Sequence, residues 1–277
     1  MSRHFLSFIP LFFVASCSMS SPSNSQVTVE HVYTLDADLG ETSGLFCRGD
    51  NAFSINDSGN APELFVIDKQ GQITGRTPLN AKNVDWETIT GDDENLYIGD
   101  IGNNAGKRKS LTIYKVSSAT GDVASTIHIA YKGNRVDDNV PYSHDYDGEA
   151  MTLRDGKILI FSKSWGTEIS HVYAVDVNKS EQLLTSMANV KGLPGVVTGV
   201  DWSEKLQQFV LVGYRSNALG MFKPFVAEVS ADYEVKSVFP LGEFTQVEGV
   251  CHTPDNKVWI SQESTPYSSA KLAEISF

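Results

Sequence analysis

Short apolar runs rich in Val, Ile, Phe, Tyr and Leu alternate along this chain with turns of Gly, Asn, Asp and Ser. Helical periodicity is weak throughout, so the pattern predicts an all-β protein. The runs also recur in order. "TSGL" (42–45), "WETI" (86–89), "GEAM" (148–151), "VTGV" (197–200) and "VEGV" (247–250) are five versions of one short strand. Each is followed by a strand that ends in a polar loop: "AFSINDSGN", "LYIGDIGNN", "ILIFSKSWG", "FVLVGYRSN" and "VWISQESTP". A third strand comes next, as "ELFVID", "LTIYKV", "HVYAVD", "PFVAEV" and "KLAEIS".

Four of the five modules add a fourth strand, such as "STIHIAYKG" (125–133), and the fifth stops after its third at Phe277. The missing strand is available at the other end, as "QVTVEHVYTL" (26–35). This arithmetic predicts a five-bladed β-propeller whose ring is closed by the N-terminal strand. Six blades are the alternative, with the extra blade hidden in the longest interval between modules. The segment "NRVDDNVPYSHDYD" (134–147) fills that interval and is too polar for a blade, so it reads as a long loop.

The start of the chain has a different pattern. "MSRHFLSFIPLFFVASC" carries Arg3 and His4, then an apolar run from Phe5 to Val14, then small residues before Cys17. The run is too short for a membrane-spanning helix and reads as a signal peptide. "VASC" resembles the bacterial lipoprotein lipobox. That resemblance implies cleavage before Cys17 and acylation of its sulfur and new amino group, which anchors the protein in a membrane. Ser18 is not a retention aspartate, which points to the outer membrane. An ordinary cleaved signal is the alternative. Residues 1–17 are thus the leader, 18–26 a flexible tether and 27–277 a single propeller domain.

In a propeller the first strand of every blade lines the central channel. The second residues of the five short strands are Ser43, Glu87, Glu149, Thr198 and Glu248, separated by 44, 62, 49 and 50 residues. They are expected to form one ring. Three carboxylates in a poorly hydrated channel repel one another. A hard divalent cation relieves this, and an all-oxygen ring without His or Cys suits Ca²⁺ better than zinc or copper. A charged, water-filled channel without an ion is the alternative.

The order Ser, Glu, Glu, Thr, Glu resembles the calcium-activated nucleotidases, or apyrases, secreted five-bladed propellers with a tunnel Ca²⁺. "GETSGLFCRGDNAFSINDSG" is similar to their first blade, "VDWETITGDDENLYIGDIG" to their second, and "DGEAMTLRDGKILIFSK" and "VEGVCHTP" to their third and fifth. "INDSGN", "DWE", "GDIGNN" and "DGEAM" resemble still more closely uncharacterised bacterial envelope propellers of the esterase-like-phytase and SdiA-regulated type. The resemblance implies the Ca²⁺ ring residue by residue. It does not carry over nucleotidase activity, because the family's basic loop is "NDSGN" here.

Loops leading into the first strands and loops joining second to third strands should share one face. Asp57, Asp85, Asp100, Asp147 and Glu263 there are candidate acid/base groups. Asn60, Asn103, Arg108, Lys163 and Arg215 are candidate ligand contacts, their cations suited to a small anion. Each has an ordinary alternative as a turn former or a solvated charge. No Ser/His/Asp nucleophile arrangement and no phosphate-cradling glycine loop emerges. A net charge of −12 argues against nucleic acid. Cys47 and Cys251 lie four and three residues past their ring positions, on blades that adjoin across the closure. Their opposite parity allows a disulfide, and two small buried thiols are the other reading. The expectation is an envelope lipoprotein binding an anionic ligand or an envelope protein at its loop face. The alternative is a Ca²⁺-dependent hydrolase of phosphoesters or phosphoanhydrides.

Overall fold

The structure is a computed structural model that describes residues 26–216 and 221–277. The leader, Cys17 and most of the tether lie outside the described residues. Strand β1 (Thr28–Thr34) leads through a single 3-10 turn into blade one, β2 (Thr42–Arg48), β3 (Asn51–Asn56), β4 (Glu63–Asp68) and β5 (Ile73–Pro78). Blade two is β6 (Trp86–Gly91), β7 (Asn95–Asp100), β8 (Leu111–Ser117) and β9 (Val123–Tyr131). Blade three starts with β10 (Gly148–Arg154), β11 (Lys157–Ser162) and β12 (Ser170–Asp176), followed by β13 (Glu181–Leu184) and β14 (Ala188–Val190). Blade four is β15 (Val196–Ser203), β16 (Gln208–Ser216), β17 (Phe222–Ser230) and β18 (Val235–Pro240). Blade five is β19 (Val247–His252), β20 (Val258–Gln262) and β21 (Lys271–Ser276), and β1 pairs antiparallel with β21 to complete it.

Five sheets follow, and the ring closes as the repeats predict. Residues 134–147 form turns without a strand, so no sixth blade exists there. Blade three departs from the simple pattern. Its β13 leaves its own sheet and pairs parallel with the outer strand of blade two, Glu181 opposite His128 and Leu184 opposite Tyr131. Leu184 is buried there, and the swap covers an edge that would otherwise present unpaired amides. The outermost strand of blade three is then the short β14.

Each blade has two apolar faces, and the core divides into five clusters, one at each blade interface. Trp86 is fully buried between blades one and two, its indole donating to the Lys82 carbonyl at 2.8 Å. Trp202 packs between blades three and four beneath the Arg154 guanidinium, 4.0 Å from its ring. Both are inter-blade packing, as the repeats suggest. The innermost strands also bond sideways. Thr88 Oγ1 accepts from the Met151 amide, Thr152 Oγ1 from the Trp202 amide and Asp201 from the His252 amide. Side chains thereby satisfy backbone donors that no sheet neighbour reaches. A Cβ on Gly249 would meet the Leu45 amide at 3.0 Å, and one on Gly44 the Ile89 amide at 2.9 Å. Glycine allows this close approach.

Candidate functional site

The strand that lines the channel is irregular in every blade, always at the same place. The ladder between first and second strands slips by one residue at Ser43, Glu87, Glu149, Thr198 and Glu248. A β-bulge leaves one residue unpaired and re-aims its side chain. Five bulges thus define one ring, and all five side chains are buried.

A second ring lies over the first. A residue one or two places past the second strand donates its amide to the carbonyl two residues before the bulge: Asp57 to Glu41, Gly102 to Asp85, Lys163 to Asp147 and Glu263 to Gln246. In blade four, Tyr214 opposes Val196 at the same register. Equivalent positions therefore carry Asp57, Gly102, Lys163, Tyr214 and Glu263. Gly102 matters because a Cβ there would stand 2.4 Å from Glu87 Oε1 and 2.5 Å from the Asp85 carboxyl carbon. Its missing side chain leaves room for both carboxylates.

The two rings floor a cavity of about 460 Å³, open on the loop face. Blades five, one and two present Glu248, Glu263, Gln246, Asp57, Glu87 and Asn104 to it. Blades three and four present Lys163, Trp165, Tyr142, Tyr214 and Phe222. One wall is acidic and the other aromatic.

Acid exceeds base in this space. Lys163 Nζ lies 3.0 Å from Glu149 Oε2, with both side chains buried. Burial opposes its charge, but Glu149, Tyr214, Glu248 and Glu87 hold the ammonium well above its ordinary range. The carboxyls move upward. Burial raises Asp57 to about 6 against the pull of the Ser58 amide, with Asp85 adding to the rise. Burial, then Glu248 and Asp57, raise Glu263 to about 9. Burial and Glu149 push Glu87 well up, and burial followed by Asp147 raises Asp85. Glu149 is raised by burial even beside Lys163. Ser43 Oγ and Glu149 Oε1 on the ring, and Asn104 Oδ1 in the cavity wall, are among the buried oxygens without a hydrogen-bond partner.

Ligand atoms converge off the axis. Asp57, Asp85 and Glu87 place carboxylate oxygens within 4.8 Å of one another. Among the described residues the three ring glutamates do not converge in this way. Lys163 reaches into the ring to Glu149, and Thr198 Oγ1 donates to the Val247 carbonyl at 2.6 Å. Glu248 is supported by Gln246 and the Tyr214 hydroxyl.

The remaining candidates are distributed unevenly. Asp57 and Glu263 line the cavity, whereas Asp100 and Asp147 do not. Asp100 is buried against Arg108 at 2.6 Å and accepts from the Asp85 amide, and Asp147 accepts from the Asn103 amide and the Trp165 indole. Both set loop shape. Asn60 bonds Glu41, and Asn103 holds the Tyr146 carbonyl and the Arg108 amide. Arg108 is occupied by Asp100 and the Gly102 carbonyl, and exposed Arg215 stands outside the cavity lining. The expected basic rim is thus reduced to Lys163, because Arg108 is taken up by Asp100 and loop carbonyls and Arg215 lies outside the lining. Tyr142, Tyr214 and Phe222 were not on the candidate list. Their signal was faint, since aromatic residues at strand ends look like core.

Cys47 and Cys251 are joined across the closing interface, with Cα atoms 5.5 Å apart and a sequence separation of 204.

No known protein family's sequence pattern matches this chain, and no curated protein matches it either. Solved structures do. A luciferin-regenerating enzyme is 11% identical with a TM-score of 0.52, over 89% of this chain and 95% of that one. The Dos1 propeller is 14% identical with a TM-score of 0.43, over 79% of this chain and 52% of that one. Hydrazine synthase of Kuenenia stuttgartiensis is 12% identical with a TM-score of 0.45, over 91% and 61%. The chain spans only 52% and 61% of the last two. The likeness to the luciferin-regenerating enzyme shows the fold.

Proposed function

We propose that this protein is a cation-dependent binding propeller of the bacterial envelope, tethered to the outer membrane by lipid on Cys17 and taking a small ligand in its funnel. The convergence of Asp57, Asp85 and Glu87 within 4.8 Å carries the reading. The partnerless buried oxygens of Ser43 and Glu149 on the same channel add to it. A single ammonium does not balance this many carboxylates, and the donor set is oxygen alone. The residues therefore fit a hard divalent cation, Ca²⁺ before any softer metal. Asp57, Asp85 and Glu87 would hold it, with Glu149 left to Lys163. The bound ion would neutralise the repulsion and fix the loops of blades one and two against each other.

Binding is favoured over catalysis by the use the chain makes of its other acids. Asp100 and Asp147 are spent on loop structure. Titrating metal-stripped protein with Ca²⁺ in a calorimeter should show one site that Glu87→Gln removes. A flat titration would sink the proposal.

One observation favours a second reading, a Ca²⁺-dependent hydrolase. Asp57 and Glu263 line one cavity, and their ionisations lie apart at about 6 and about 9. Two carboxyls so separated can act as proton acceptor and donor. A hydrolysis screen of nucleotides and phosphomonoesters, with and without Ca²⁺, decides between the readings. Turnover abolished by chelator supports the enzyme, and none supports the binding protein.

A further inference from the structure

We propose that the funnel's ligand is an organic cation, its ammonium set against Glu248 and Glu263 and its carbon frame against Tyr142, Trp165, Tyr214 and Phe222. The inference rests on the funnel being the ligand site, and it names the chemical class the site takes.

The walls carry the argument. The cavity is about 460 Å³, the size of a small-molecule site. Its carboxyls come from blades five, one and two, and its rings from blades three and four, so a ligand meets π-faces on one side and, on the other, carboxyls whose ionisation burial and mutual repulsion oppose until a cation enters. The rings are arranged as a wall. Tyr142 meets Trp165 edge to face at 5.3 Å, and Tyr214 meets Phe222 likewise at 4.9 Å. Aromatic faces joined to carboxylates suit a desolvated ammonium, whose charge the ring quadrupoles attract.

The protein supplies its own example of such binding. The Lys163 ammonium sits 5.2 Å from the Trp165 ring centroid and 5.4 Å from that of Tyr214, while it pairs with Glu149. One ammonium between rings and a carboxylate is thus already stable here. Glu248 and Glu263 extend that arrangement to the opposite wall, where Lys163 acts on them only at longer range and Gln246 bonds Glu263.

Tyr142 adds an independent sign. Its backbone stands at φ 54°, in the left-handed region, and its side chain is 61% exposed over the cavity mouth. Beyond its edge-to-face contact with Trp165 the side chain is open to the cavity, and left-handed backbone of this kind clusters at ligand clamps. Its backbone is fixed by its amide bond to the Asn104 carbonyl at 3.0 Å. Lys107 secures the same loop by donating to the Val136 and Asn139 carbonyls.

An anion is poorly served by the same space. Arg108 is committed to Asp100, Lys107 to loop carbonyls and Lys163 to Glu149. In the metal-stripped protein a carboxylate or phosphate entering the funnel would face Asp57, Glu87, Glu248 and Glu263.

The test uses the whole propeller domain, Ca²⁺-loaded and separately metal-stripped, and three probes of one shape: phenethylammonium, phenethyl alcohol and phenylacetate. Calorimetry should show the ammonium binding at least tenfold more tightly than the alcohol and no binding of the carboxylate. Tyr142→Ala, a surface change that spares folding, should weaken the ammonium at least threefold, and Glu263→Gln at least tenfold. Equal binding of alcohol and ammonium overturns the inference, as does a carboxylate that binds, or no ammonium binding at millimolar probe. If Ca²⁺ stabilises the protein yet no ammonium binds, only the ligand class fails. If the ammonium binds and Ca²⁺ does nothing, the metal reading fails alone.

Discussion

The Lys163 ammonium lies 3.0 Å from Glu149 Oε2, both side chains buried at the floor of the channel. The pair couples the two rings of the funnel, since Glu149 is the bulged residue of blade three and Lys163 directly follows the next strand. Removing one member leaves the other charged and unsolvated, which costs about 3–5 kcal/mol where such pairs have been broken. Lys163→Met should therefore lower the melting temperature by roughly 10 °C, at 2–4 °C per kcal/mol for a domain of this size. Adding Glu149→Gln should restore much of the loss. A Lys163→Met protein that melts like the parent contradicts the pairing.

The carboxyl surplus sets the pH dependence of the metal-free protein. Glu263 ionises near 9 in the folded state because burial and the charges of Glu248 and Asp57 oppose its anion. Unfolded, it ionises near the ordinary glutamate value, so between the two the native state holds a proton that the unfolded chain has lost. Stability then falls as pH rises through that window. Melting in chelator should be highest near pH 5 and drop steadily toward pH 8. Asp57, at about 6, adds to the lower part of the fall. Glu263→Gln should flatten the profile. A melting temperature that climbs from pH 5 to pH 8 contradicts this sign.

The bridge between Cys47 and Cys251 spans 204 residues and ties the closing blade to the first. In the chain-entropy account a loop of that length is worth up to about 5 kcal/mol. The β1–β21 pairing already closes the same ring, so the realised effect should be smaller. Reductant or Cys251→Ser should lower the melting temperature by several degrees and leave Ca²⁺ binding intact. Unchanged melting under full reduction would remove the bridge from the stability account.

The proposed lipid anchor is tested apart from the domain. Cys17→Ala should abolish labelling by radioactive palmitate and release the protein from the membrane fraction. Retention at the membrane without label would mean another attachment.

Much of the fold was legible because a propeller repeats its own sequence. "VEGV" and its four counterparts marked the channel strands, and the unpaired end at Phe277 called for Thr28–Thr34. The bulge ring followed from the same register, and its five residues are buried as expected. Other features were not legible. The parallel docking of Glu181–Leu184 on blade two depends on an open edge that only the assembled ring shows. The place of Lys163 was hidden for a similar reason, since a lysine after a strand looks like a solvated rim until the channel closes around it. Arg108 misled in the opposite sense. Its charge suggested an anion site, but Asp100, eight residues earlier in sequence, already held it.

The central claim is that Asp57, Asp85 and Glu87 hold a divalent cation. The most direct test is the melting temperature of metal-stripped protein as Ca²⁺ is added, for the parent and for Glu87→Gln. At a hundredfold excess over its dissociation constant, a ligand specific to the native state stabilises by about 2.7 kcal/mol. The parent should therefore gain roughly 5–10 °C, reversed by chelator, while Glu87→Gln gains little. No Ca²⁺-dependent shift in the parent, or an equal shift in Glu87→Gln, would contradict the account.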